Sequence, residues 1–141
     1  MKFNYLLTLL AALAVGATSS FAADDDTPLA KEMTKMNKTL RALKKQVVEP
    51  AKKAESIKMV DEMKANVAAS LKYEPAKTTD QPAGDKPAYL DKYKKQLGDL
   101  DKALDGLKAA IEKDDKDAVT KGLEQLSDLK EKGHKDFAPE E

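Results

Sequence analysis

Cysteine and tryptophan are absent from the 141 residues, and histidine occurs once, at His134. Without cysteine there is no disulfide to brace a small domain, so its core must hold by packing, with or without the help of a bound group. An excess of charge of either sign is missing too. The 25 basic residues meet 25 acidic ones, which leaves no basic stripe to grip a phosphate backbone and no acidic tail, so nucleic acid is not an expected partner. The longest apolar run is LLTLLAALAVGA at 6–17, about 12 residues, whereas a membrane-spanning helix needs roughly 20.

That run reads as the apolar region of a signal peptide over residues 1–22. Lys2 supplies the positive start and Ser20-Phe21-Ala22 the small-x-small site, with cleavage expected after Ala22 or, one residue on, after Ala23. The mature chain, 23–141, is then expected to be exported and not inserted in a membrane. The 41% hydrophobic and 35% charged residues of the full 141 are the balance of a soluble domain built from amphipathic elements.

Those elements read as helices throughout. Leu29, Met33, Met36, Leu40, Leu43 and Val47 recur at steps of four and three, one continuous apolar stripe. Thr27 and Pro28 form its start, the threonine oxygen capping free N–H groups and the proline lacking one. A second helix is expected from Ala54 to Tyr73, with Ile57, Val60, Met63, Val67 and Leu71 inward, followed by a proline- and glycine-bearing loop at 74–88. A third, from Ala88 to Glu112, carries Tyr89, Tyr93, Leu97, Leu100, Leu104, Leu107 and Ile111 inward. After a short KDDKD turn, a fourth presents Val119, Leu123, Leu126 and Phe137. The fold class expected is all-α, an antiparallel up-down-up-down four-helix bundle.

In that topology the start of helix 1, the end of helix 2, the start of helix 3 and the end of helix 4 share one end. Met33 and His134 then lie at similar depth, with Tyr89, Tyr93, Val67 and Leu71 walling the space between and Met36 one turn deeper. His134 follows Leu126 by eight residues and Leu123 by eleven, spacings taken to return it to the inward face. On spacing alone, a lone histidine at a helix C-terminus is more often a surface residue that favours the dipole. Methionines at helical spacing are likewise more often core filler than ligands.

EMTKMNKTLRAL at 32–43 and EQLSDLKEKGHKDF at 124–137 resemble the first and last helices of the soluble cytochrome b562 family, and LGDLDKAL at 97–104 its third. The resemblance implies a periplasmic bundle holding one non-covalent b-type haem, its iron bound by Met33 and His134. It also implies that Tyr89 and Tyr93 stand as aromatic pocket residues and that Lys130 occupies a basic position near the haem edge or a propionate. Gly133 departs from the pattern and, as a glycine inside a helix, costs roughly 1 kcal/mol relative to alanine.

Histidine with methionine is an axial pair of low-spin electron-transfer haems, the thioether favouring ferrous iron. With both positions filled no site is left open to substrate, so an electron carrier is expected and not an enzyme. The missing cysteines exclude c-type attachment. Its partners would be redox proteins, and the chain is expected to act as a monomer. Two other readings stand beside this one: a periplasmic copper protein using Met33, Met36, Met59, Met63 and His134 as soft ligands, and a haem-free helical interaction module.

Overall fold

In the computed structural model, which describes residues 27–138, the chain forms four α-helices: α1 (Pro28–Gln46), α2 (Lys53–Ser70), α3 (Lys86–Glu112) and α4 (Lys116–Phe137). One-turn 3₁₀ helices at Pro50–Lys52 and Ala76–Thr78 punctuate the first two connections. The expected signal peptide and cleavage site fall within residues 1–26, which, with residues 139–141, lie outside the described residues. Among the described residues there is no strand, and no helix is long and apolar enough to cross a membrane.

Two of the four helices, α1 and α4, start on a side chain that accepts from a free N–H group. Thr27 Oγ1 accepts from the Ala30 amide at 3.1 Å with Pro28 in the first turn, and Asp115 does the same for α4 through the Ala118 amide at 3.0 Å. The end of α3 is held differently. Asp114 adopts a left-handed backbone with φ 57°, and Lys53 at the start of α2 donates to both the Glu112 carbonyl and the Asp114 carboxylate at 2.7 Å.

Cross-links show how the helices run. Between α2 and α3, Lys53 reaches Glu112, Lys108 pairs with Asp61 at 2.7 Å, Lys64 with Asp101 at 3.3 Å, and the Tyr93 hydroxyl donates to the Ser70 carbonyl at 2.9 Å. Rising numbers on one helix meet falling numbers on the other, so the two are antiparallel. The same holds for α3 and α4, where Tyr89 meets Phe137, Lys92 pairs with Asp136 at 3.0 Å, and Leu107 lies against Gly122. Packing is extensive between α1 and α2, α2 and α3, and α3 and α4, but not between α1 and α4. The core runs the length of this arrangement, from Val47, Val60, Leu107, Ile111 and Val119 at one end to Val67, Tyr93 and Phe137 at the other.

Three expectations are corrected. α2 stops at Ser70, and Leu71 is 48% exposed instead of walling the interior. The chain turns there toward Glu74-Pro75, and the buried positions of α2 are Ser56, Val60, Met63, Val67 and Ser70, a stripe set one residue aside from Ile57 and Leu71. Ser70 tolerates burial because its hydroxyl donates to the Asn66 carbonyl at 2.7 Å while its own carbonyl accepts from Tyr93. His134 is exposed, since the buried residues of α4 are Val119, Leu126 and Phe137; eight residues after Leu126 is a rotation of about 80° from it at 100° per residue. The even total of charges, finally, hides a basic face on α1, which carries six basic residues and one acidic residue.

Candidate functional site

The thin side of the bundle is the seam between α1 and α4, and one hydrogen bond locates it. Lys44 of α1 donates to Ser127 Oγ of α4 at 2.7 Å. Met33 precedes Lys44 by eleven residues, which returns it to within about 20° of the same side of α1, some 16 Å along the axis. His134 follows Ser127 by seven residues, again within about 20° and about 10 Å along α4. Both displacements lead to the same end of the molecule, because Pro28 at the start of α1 lies beside Tyr73 after α2, and Phe137 at the end of α4 beside Tyr89. The two lips of the seam therefore carry a thioether and an imidazole at one end. Met33 is half-buried against the core and His134 is exposed.

Lys130, exposed, stands one turn before His134. Leu123 and Ser127 continue the same flank of α4, where the seam forms a shallow groove with Lys44, Thr120, Glu124 and Asp128. Met36 and Val67 are buried in the core, 7% and 2% exposed.

Where the start of α3 meets the end of α4 the packing is aromatic. Phe137 sits between Tyr89 and Tyr93, edge-on to both, with ring centroids 5.2 and 5.3 Å away, a geometry in which each ring's positive edge meets a negative face. The Lys92 ammonium lies 5.8 Å from the Phe137 centroid. Burial pushes the Tyr93 phenol far above its ordinary value, so it remains a neutral donor to Ser70. The phenol of Tyr89 is raised as well, by burial first and then by the Asp136 and Asp80 charges. Phe137 belongs to this site, although the sequence reading assigned it only to the core; its position three residues after His134 was the available signal.

A polar network ties the same turn of α4 to α3. Asp136 receives hydrogen bonds from Gln96 and Lys92, and its backbone carbonyl accepts from the Tyr89 hydroxyl at 3.5 Å. Gln96 Oε1 is buried without a partner. A Cβ at Gly133 would meet only that oxygen, at 3.7 Å, so α4 passes through Gly133 unbroken with no tight contact requiring a glycine.

The Lys92 hydrogen bond holds the Asp136 carboxyl below the usual carboxylate range, against the opposing effect of burial. A carboxyl lowered in the folded state adds stability above its unfolded value, near 3.9, and that stability is lost as pH falls through the lower folded value. Asp136→Asn is expected to flatten the fall in urea midpoint below about pH 4 and to leave the slope between pH 6 and 8 unchanged. Identical acid limbs in the two proteins would refute the role of this pair.

The donors decide what the site can hold. No group of three or more histidine, cysteine, aspartate or glutamate side chains gathers to hold a metal ion among the described residues. Met36 and Met63 are buried, at 7% and 1% exposure, so the thioethers do not collect on one accessible face as a copper site requires. One imidazole and one thioether at a seam fit a group that brings most of its own iron ligands and asks the protein for two. The aromatic cluster at the same end of the bundle suits a flat, largely hydrophobic ring.

A family model described as Cytochrome b562 matches residues 28–138. No curated protein and no solved structure matched the chain.

Proposed function

Because the chain belongs to the cytochrome b562 family, a family of haem-binding electron-transfer cytochromes, we propose that it carries single electrons on one non-covalent b-type haem ligated by Met33 and His134. The observation that supports this reading is the Lys44–Ser127 hydrogen bond across the α1–α4 seam that packing leaves thin, from which helical spacing carries Met33 and His134 toward the same end. When bound, the haem supplies a one-electron iron couple. Met33 and His134 would hold its iron, and the weakly donating sulfur of Met33 would favour the ferrous state.

Tyr89, Tyr93, Phe137 and Val67, which pack in or against the core, would form the dry side of a haem pocket, where a low local dielectric strengthens every charge interaction. Lys130, on the flank between Ser127 and His134, is placed for a carboxylate at the pocket rim. No cysteine is available for attachment, so ligation and packing alone retain the group. The sequence at 1–22 supports export to the periplasm, and a monomer fits a surface on which Val48, Leu71 and Tyr73 are the exposed large hydrophobics among the described residues.

Protein exported with haem available should show a sharp Soret band and, when reduced, the narrow α and β bands of a six-coordinate low-spin centre. Acid-acetone should release the haem intact. Purified protein that lacks these bands and takes up no added haem would end the cytochrome reading.

A further inference from the structure

The charges cancel over the whole chain but not helix by helix. α2 has three basic and three acidic residues and α4 five of each, while α3 has six and five. α1 has Lys31, Lys35, Lys38, Arg41, Lys44 and Lys45 against Glu32 alone. All six basic side chains are exposed, and the one acid is paired with Lys35 at 2.8 Å. Helical spacing sets Lys31, Lys35, Lys38, Arg41 and Lys45 along the outward side, a ridge of about 21 Å at 1.5 Å per residue. Lys44 and then Arg41 are the basic residues nearest the Met33 lip of the seam.

We infer that this face of α1 is the docking surface for an acidic electron-transfer protein, an inference that rests on the haem reading above. A concentrated positive field on a molecule with no net charge does not serve solubility; it orients an approaching anion. It draws that anion to the helix that carries Met33, with Arg41 and Lys44 at the edge of the basic face nearest the seam, which is where a partner's redox centre has to come. The exchange is of one electron, the partner oxidised and this protein reduced by one, with no bond made or broken.

Other occupants fit less well. A second copy presenting its own α1 would bring like charges together. A lipid surface would find no apolar side chain on this face to take up, because Met36, Leu40, Leu43 and Val47 are buried on the opposite side of the helix.

The test uses the haem-loaded protein, an acidic flavodoxin as partner probe and a basic cytochrome c as its opposite, with electron exchange followed by stopped flow. The variant is Lys38→Glu/Arg41→Glu/Lys45→Glu, three exposed positions outside the pocket, checked for an unchanged Soret spectrum and helix content. With flavodoxin the wild-type rate should fall as salt rises, and the variant should be at least about tenfold slower at low salt, as electrostatic steering allows. With cytochrome c the variant should be the faster. Equal rates and equal salt slopes in a variant that retains its haem would overturn the docking surface while leaving the cytochrome reading intact. A wild-type protein that takes up no haem would remove both. Charge-dependent capture by phosphatidylserine vesicles at 150 mM salt (a concentration near physiological), with flavodoxin rates unaffected by the substitutions, would assign the ridge to a membrane instead.

Discussion

His134→Ala should remove most of the haem affinity and leave the stability of the haem-free bundle almost unchanged. The side chain is exposed and belongs to no packed cluster, so its loss falls within the range of about 0.5 kcal/mol typical of surface substitutions. No second histidine exists to replace it as a ligand. A large binding defect without a folding defect is the signature of a ligand, and one titration with haem followed by one urea curve would show it. Met33→Ala should keep a bound haem that is partly high-spin and lower in potential, because the sulfur that favoured ferrous iron is gone. Met36, 7% exposed in the core, should behave oppositely when truncated, costing roughly 2–5 kcal/mol of stability with low-spin bands retained. If Met36→Ala changed the spin state and Met33→Ala did not, the sixth ligand would have to be reassigned.

The second large effect lies near the other end of the molecule, where Gly122 of α4 packs on Leu107 of α3. A Cβ built on Gly122 would stand 3.2 Å from Leu107 Cδ1 and 3.4 Å from its Cβ, and Leu107 is fully buried. Leu107→Ala should therefore cost roughly 2–5 kcal/mol. Gly122→Val, which drives a branched side chain into the same contact, should cost about 1–3 kcal/mol by overpacking. The informative comparison is Gly122→Ala in both backgrounds. With Leu107 present, the roughly 1 kcal/mol of helix propensity gained over glycine is opposed by the tight contact. With Leu107→Ala the Cδ1 atom is gone and that gain should emerge in full. Urea midpoints at constant m measure the coupling. Strictly additive effects would mean that α3 and α4 adjust freely at this contact.

The apolar stripes of α1, α3 and α4 predicted their buried faces because each is continuous and long, and Thr27-Pro28 marked a helix start that the backbone keeps. α2 was harder to read. Its buried stripe begins and ends on Ser56 and Ser70, and a reading that follows apolar residues slides one position onto Ile57 and Leu71. The deciding fact, the Tyr93 hydroxyl bonded to the Ser70 carbonyl, joins residues far apart in sequence and leaves no local trace. His134 was misoriented for a related reason. Its spacing from Leu123 is sound, but Leu123 lies on the flank facing α1 and not on the Leu126–Phe137 line, so the residue belongs to a seam between helices and not to the interior. Whole-chain composition failed on charge because a total cannot reveal a ridge confined to one helix.

The unevenness of the seams also bears on how the chain acquires its shape. Extensive packing joins only helices that follow one another in sequence, and the single closure requiring the two ends of the domain to meet, α1 on α4, is the one left thin. Bundles dominated by contacts between chain neighbours have low contact order and fold on the microsecond to millisecond scale. Little of the loop-closure entropy of a long-range contact has to be met before the packing is complete. The chain can therefore assemble helix onto preceding helix, with the α1–α4 side the last to close.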